Sequence, residues 1–495
     1  MQYPILAAID LGSNSFRLQL ARAEDDQLYM LDGLREPVRL AAGLDAQGRL
    51  DAASRQRALD CLRRFAERLR GLPPEAVRAV GTNTLRVAKD TAEFQAEAEA
   101  VLGFPIQVIA GREEARLIYL GVAHGLPPGN ERRLVMDIGG GSTEFILGQG
   151  LESRKLESLY MGSVSYSLRY FPDGKVSKAA MRQAELAART QLQLISADFA
   201  RGHWDTAYGS SGTARAVSEL MSQNGFSDGE ITREGLEVVR ERLLKAADVK
   251  KLDLQGIKPD RLLALPGGFS ILHAVFCELG IERMRPASGA LREGVLYDLF
   301  GRFHDQDMRE LTVRQFMRRY HVESRQAERV AQLAGDLARQ FLGAQADSET
   351  LHLLGWAARL HEIGISVAHN GYNKHSAYIL KNADMPGFSR REQDKLSLLA
   401  VAQRGKLEKV RGLFSAHLDI ALVMALRLAV LLCRSRGQAR LPALVASSDG
   451  RDFSVRLPDD WLKKNPLSEA ALFEESLQWQ GLGIALRIEN PQNDS

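Results

Sequence analysis

Cysteine is scarce in this chain. Cys61, Cys277 and Cys433 are odd in number and far apart. That excludes a disulfide framework and a cysteine metal cluster, and it fits a reducing cytoplasm. Net charge is scarce too. The 65 Lys and Arg and 62 Asp and Glu leave only +3. The molecule as a whole is no polycation, so no nucleic-acid partner is expected and any anion site must come from local clustering. Long apolar runs are also missing. The stretch from Met1 to Asp10 lacks a basic start and a cleavage site, and reads as a buried strand rather than a signal peptide. Ile420 to Cys433 is too short to span a bilayer and carries Arg427, so it reads as a buried helix. The expectation is a cytoplasmic protein without an integral membrane segment.

What is present is an α/β pattern that occurs twice. Apolar runs at Ile5–Asp10, Phe16–Ala21 and Leu28–Leu34 predict three strands. Leu59, Leu62, Phe65, Ala66 and Leu69 then share one helical face, which Gly71 ends. Short strands at Ala76–Val80 and Ile106–Ile109 alternate with helices. The pattern restarts at Leu134–Ile138 and Thr143–Leu147. A helix over Lys178–Phe199 follows, then strands at Thr206–Tyr208 and Leu262–Leu265. Beyond Gly301 helical periodicity dominates, as in Val330, Leu333, Ala334, Leu337 and Phe341. The tail is mixed, with a hairpin at Asp449 and Gly450, a helix over Leu467–Leu477 and a strand over Ile484–Ile488. The expected domains are 1–125 and 126–300, both α/β, a helical one at 301–440 and a small α+β one at 441–495.

Each α/β half opens with a strand that delivers an Asp to a Gly/Ser loop. The first is Asp10 followed by Gly12, Ser13, Asn14 and Ser15. The second is Asp137 followed by Gly139, Gly140, Gly141, Ser142 and Thr143. Such loops expose backbone N–H groups with little side-chain bulk, which suits phosphate oxygens, and the Asp can hold a phosphate-bound cation. A third loop, Gly209 to Thr213, contains Ser211 and Gly212. It could bind an anion at a helix start, or serve equally as a plain N-cap.

Six segments in order, DLGSNSF from Asp10, GTNTLR from Gly81, IAGREEAR from Ile109, DIGGGSTE from Asp137, GSSGT from Gly209 and GALREG from Gly289, resemble the exopolyphosphatase / guanosine pentaphosphate phosphohydrolase (Ppx/GppA) family. The resemblance implies two actin-like (RNase H-like) domains, a helical HD-like domain and a small C-terminal one. It implies Mg²⁺ as cofactor and a homodimer. By position it implies Glu114 as general base, Arg86 as a phosphate clamp, Asp10, Asp137 and Glu144 around the metal, and the Gly/Ser loops as phosphate cradles. Read alone, Glu113 and Glu114 are acids in a first helical turn, Arg86 a solvated charge, and Glu144 a surface carboxylate. Arg17 adds positive charge after the first loop, with no role beyond substrate contact. Arg35 and Arg39 lie on a segment that the family also uses near its site, and they either line the phosphate path or merely cover a strand edge.

The helical part carries His361, Glu362 and His375, a degenerate metal set that reads as packing or substrate-lining residues. It also carries a basic run: Arg404, Lys406, Lys409 and Arg411, then Arg427, Arg434, Arg436 and Arg440. Such a run is usually a solvated face, but it suits a polyphosphate chain, which it would hold with salt-dependent affinity. The leading expectation is therefore an exopolyphosphatase acting on inorganic polyphosphate. The alternative is hydrolysis of guanosine pentaphosphate. A sugar kinase or ATPase and a non-catalytic alarmone sensor stand behind these.

Overall fold

The computed structural model describes residues 3–24, 27–45, 47–127, 129–302, 307–414, 416–436 and 441–489. The chain forms two compact units, Met1–Asp307 and Met308–Ser495.

The first unit opens with β1 (Ile5–Leu11), β2 (Phe16–Glu24) and β3 (Gln27–Glu36). Then come α1 (Ala52–Leu69), β4 (Val77–Gly81), α2 (Asn83–Val87), α3 (Thr91–Leu102), β5 (Ile106–Val108) and α4 (Gly111–His124). The second half has β6 (Arg132–Ile138), β7 (Thr143–Gln149), β8 (Glu152–Leu159), α5 (Ser163–Tyr170), α6 (Lys178–Leu192), α7 (Ser196–Phe199) and β9 (Thr206–Gly209). It continues with α8 (Gly212–Gln223), β10 (Ile231–Thr232), α9 (Arg233–Ala246), α10 (Leu265–Leu279), β11 (Arg283–Pro286) and α11 (Leu291–Arg302).

The two sheets repeat one topology. The first runs β3-β2-β1-β4-β5, and the second runs β8-β7-β6-β9-β11 with β10 added at its edge. In both, the first three strands are antiparallel and the next two parallel. The repeat expected from the two Asp loops thus extends to whole sheets. Strand β8 was not foreseen, because ESRKLESL alternates charge with little apolar signal. The strand expected at Leu262–Leu265 is a correction. Pro259–Ala264 is a 3-10 turn leading into α10, where Pro266 takes the first helical turn, a place that needs no N–H donor. That helical stretch, Arg261–Leu279, is long and apolar enough to cross a membrane by length and composition, but 67% of its apolar window is buried.

Strand alternation sorts side chains into layers. On β1, Ala7, Ile9 and Leu11 face α1 and α3, while Leu6 and Ala8 face a central layer. On β6, Leu134, Met136 and Ile138 face an outer core with α6, α8 and α10, while Val135 faces the central layer. Helices α4 and α11 fill that layer, packed on each other and on both sheets. Helix α11 therefore returns to the first half, although residues 126–300 were expected to form a domain of their own. Asp10 shares the parity of Leu6 and Ala8, and Asp137 that of Val135. Both carboxylates are thus aimed from opposite sheets at the central layer.

The second unit has helices Met308–Arg319, Ser324–Leu342, Ser348–Leu360, Tyr372–Asn382, Arg390–Ala402 and His417–Leu432. A three-stranded sheet follows, Val445–Ser448, Phe453–Arg456 and Leu486–Glu489, with helix Pro466–Gln480 beside it. The break expected after residue 440 does not separate two cores. Val330, Leu354 and Leu426 share one core with Val455, Trp479 and Leu486. Arg427, expected in the basic run, is buried and makes a fork to Glu475 at 2.5 and 2.7 Å. Arg436 pairs with Glu323 and Glu362. Arg404, Lys406, Lys409, Arg411 and Arg434 are exposed, and Arg440 lies outside the described residues. His361 is buried, its Nδ1 2.6 Å from the Ala358 carbonyl.

Candidate active site

The two Asp loops meet. A methyl group at Gly141 would lie 2.4 Å from Asn83 Oδ1, and one at Gly140 would lie 3.0 Å from Ser13 Cβ. No side chain fits there, which is why the second loop is a run of glycine. Each loop is pinned from behind. Ser13 Oγ accepts from Thr84 Oγ at 2.8 Å, and its carbonyl accepts from Ala41 N–H at 2.9 Å. The Gly139 and Gly140 carbonyls accept from the first amides of α5 at 2.9–3.1 Å.

Between the loops lies a cleft. Its wall includes Asp10, Gly12, Ser13, Asn14, Ser15, Glu114, Asp137, Gly139, Gly140, Gly141, Ser142, Ser211 and Gly212. The sequence thus named much of one continuous surface. Ser211 lines it and also caps α8, accepting from Ala214 N–H at 3.0 Å, so the N-cap reading of that loop holds.

Three expected site residues stand elsewhere. Arg86 is not in the cleft wall. Its side chain is 3% exposed and donates to Glu114 Oε2 at 2.6 Å and to the Ile109 carbonyl at 3.0 Å. It holds Glu114. Glu144 is buried behind the wall and accepts from Ser158 Oγ at 2.9 Å. It projects into the same layer as Arg86 and Glu114 and does not reach the cleft as a metal ligand. Thr143 is fully buried and donates to the Met161 carbonyl at 2.6 Å, so its hydroxyl is committed to the fold.

Other arginines do line the cleft: Arg17, Arg35, Arg215, Arg261 and Arg292. In the sequence Arg17 stood as positive charge after the first loop, and Arg35 as lining for the phosphate path or cover for a strand edge. Arg215, Arg261 and Arg292 were missed. Arg292 stood within the GALREG segment and Arg215 just after GSSGT, so segment position was the available signal. Burial pushes the Arg17 guanidinium down to about 10, and its neighbour Arg292 adds to that. Like charges held together in a partly dry cleft are arranged for an anion.

The carboxylates are equally unsettled. Burial pushes Asp10 up to about 7; Glu114 and Asp137 push the same way, and Arg17 and Arg292 oppose. Burial also raises Asp137, against a 2.5 Å hydrogen bond from Ser210. Burial raises Glu114, with Arg86 opposing and Asp137 reinforcing. Glu144 is pushed well up by burial and then by Glu114 and Asp137.

Among the described residues, no group of three or more His, Cys, Asp or Glu side chains converges as a metal-binding set. A magnesium ion needs fewer protein ligands, because it keeps waters and takes substrate phosphate oxygens. Asp10 Oδ1 is buried and has no hydrogen-bond partner among the described residues. Asp10 and Asp137, both in the cleft wall, fit such an ion as its protein ligands.

Comparison with known proteins fits this geometry. The model of the Ppx/GppA phosphatase family matches residues 20–303, and that of Ppx/GppA phosphatase, domain III, matches residues 308–476. A guanosine-5'-triphosphate,3'-diphosphate pyrophosphatase of Aeromonas hydrophila subsp. hydrophila is 39% identical over 491 residues, 98% of this chain and 99% of the relative. An exopolyphosphatase structure from Cytophaga hutchinsonii has a TM-score of 0.55 at 23% identity, over 60% of this chain and 98% of that one. A PPX-GPPA enzyme structure from Aquifex aeolicus has a TM-score of 0.50 at 24% identity, over 59% and 99%. The two structural likenesses carry the fold.

Proposed function

The chain belongs to the Ppx/GppA phosphatase family, and we propose that it hydrolyses the terminal 5'-phosphate of guanosine-5'-triphosphate,3'-diphosphate. The observation that carries this is the cleft itself, where five arginines face Asp10, Glu114 and Asp137 between two phosphate-sized loops. Two further points favour the nucleotide over the polymer first expected. The full-length relative bears the nucleotide activity in its name. The cleft wall also includes Ile118, Ile257, Ala264, Leu265 and Leu291, apolar surface that suits a nucleobase and that a polyphosphate does not need.

In this reading Glu114 takes a proton from the attacking water. Arg86 fixes its carboxylate, and burial keeps it basic enough for the task. The water oxygen bonds to the terminal phosphorus, the bridging P–O bond breaks, and the leaving diphosphate oxygen keeps the electron pair. Cleft arginines and loop N–H groups hold the phosphate oxygens. Asp10 and Asp137 would hold a magnesium ion, which when bound would neutralise charge on the phosphates. The products are orthophosphate and guanosine-5'-diphosphate,3'-diphosphate.

A second reading, exopolyphosphatase, is favoured by the exposed set Arg404, Lys406, Lys409 and Arg411 in the second unit. One experiment decides between them: orthophosphate release from the nucleotide and from long-chain polyphosphate in parallel, with Mg²⁺ and with chelator. Faster metal-dependent release from the nucleotide supports the first reading. Preference for the polymer overturns it and leaves the same residues in place.

A further inference from the structure

The central layer holds a second group of charges, and none of them lines the cleft. Arg78 on β4, Glu113 and Arg116 on α4, and Asp298 and Arg302 on α11 form a buried cluster. Arg116 makes a fork to Glu113, with both bonds at 2.8 Å, and its Nη2 also donates to Asp298 Oδ1. Arg78 donates to Asp298 Oδ2, and Arg302 lies 3.4 Å from the same carboxylate. The Arg78, Glu113, Arg116 and Asp298 side chains are at most 6% exposed.

Geometry links this cluster to the cleft. Helices α4 and α11 run antiparallel with their backbones in contact. A methyl at Gly121 would lie 2.1 Å from the Ala290 carbonyl oxygen, and one at Gly294 would lie 1.7 Å from that of Leu117. Continued along both helices, the same register sets Glu113 and Arg116 against Asp298. The glycines fix the close approach in the later turns of α4. The ionic cluster ties the first turn of α4, which carries Glu114, to α11. Glu113 and Glu114 are neighbours, so their side chains point about 100° apart around the helix axis. Holding Glu113 in the cluster aims Glu114 at the cleft.

We propose that Asp298, with Arg116 and Glu113, is a positioning site for the catalytic helix, locking α4 so that Glu114 and the α11 residue Arg292 face one phosphate group. The proposal rests on the hydrolase reading above for its kinetic consequence, but not for its structural one. Nothing in the reaction requires these charges, and a buried network is weak evidence for stability alone. A buried cluster on the first turn of the catalytic helix is better explained by specificity of arrangement.

The test uses full-length protein carrying Asp298→Leu together with Arg116→Met. The pair removes one charge of each sign, and apolar groups take their place, a change that buried networks tolerate in stability. A single Asp298→Asn takes one buried carboxylate charge from three arginines, and it serves as a folding-sensitive comparison. The expected result is a kcat lowered roughly 10- to 100-fold, the range for a misplaced catalytic group. KM stays within about twofold, because the cleft arginines are untouched. Amide exchange rises in residues 111–118 and not in α6 or α10. Asp298→Glu, which keeps the carboxylate, recovers part of the rate. Wild-type kcat with unchanged exchange in α4 overturns the lock. If the wild type itself releases no orthophosphate from either substrate, the hydrolase reading fails, and exchange alone decides. Faster exchange confined to α4 then sustains the lock, and unchanged exchange rejects it.

Discussion

The two Asp hairpins occupy equivalent places in equivalent sheets, yet they differ at one position. In the first, Asp10 stands directly across from Arg17; in the second, Asp137 stands across from Glu144. Residues opposite each other in an antiparallel pair project on the same face, so both partners enter the central layer. Arg17 reaches the cleft and brings a cation to it. Glu144 stays behind the wall, near Arg86 and Glu114, and burial raises both carboxylates around one guanidinium. The repeated sheets present two Asp loops. The difference at a single strand position sets a cation beside one loop and a carboxylate near Glu114 beside the other.

The comparison breaks most sharply at the base. In Glu114→Gln, orthophosphate release is expected to fall roughly 10²- to 10⁴-fold, the usual worth of a general base. The melting temperature should not fall with it, because one of several repelling buried carboxylates is gone. In wild type, the acidic limb of the kcat profile should lie above the ordinary carboxylate range, since burial raises Glu114 and activity needs its ionised form. A limb at the value of a solvated glutamate would remove Glu114 from the role.

Next in size is Arg17→Glu, which gives the first hairpin the charge pattern of the second. A hydrogen bond to a charged group contributes about 1.5–3 kcal/mol, so KM for the nucleotide should rise roughly 10- to 150-fold. Arg17→Lys should lose less. If binding assays show no change for either variant, the first hairpin does not hold substrate through Arg17.

A smaller effect separates the two aspartates by pH. Asp10 sits near 7 when folded, well above a solvated aspartate. Between those values the folded chain binds more protons than the unfolded one, so stability falls as pH rises through that window. In chelator-treated protein, Asp10→Asn should therefore raise the melting temperature at pH 8 and leave it nearly unchanged at pH 4, while activity is lost. An equal shift at both pH values would mean that charge burial at Asp10 is not the cause.

What the sequence shows of all this follows from how local each signal is. Both Asp loops are contiguous, and so are β1, β2, β6 and β7 around them, and they are legible. Glu114 is legible through its segment. Its pairing with Arg86 is not, because Arg86 lies 28 residues away and only the fold makes them neighbours. Arg215, Arg261 and Arg292 come from three separate segments and look like solvated charges until the cleft gathers them. Glu113 was indistinguishable from any acid in a first helical turn, and Asp298 carried no signal. Arg427 misled in the other direction. In a row of basic residues it read as surface, whereas the Glu475 fork holds it inside the second unit.

The smallest expected effect lies in that second unit and concerns chain length rather than chemistry. Arg404, Lys406, Lys409 and Arg411 are exposed, with Arg404 stacked over the Tyr372 ring at 4.7 Å. Exposed charges contribute little singly and are screened by salt. Their use would be collective, on a polyanion that meets several at once. Reversing Arg404, Lys406 and Lys409 to Glu should leave turnover of the nucleotide within about twofold, since a compact ligand meets only the cleft. Affinity for long-chain polyphosphate should fall, and the slope of its logarithm against that of salt should flatten by about two to three, one for each phosphate that is no longer neutralised. An unchanged slope would show the basic run to be a solvated face. Recognition of phosphate would then rest, among the described residues, on the paired hairpins and the arginines gathered between them.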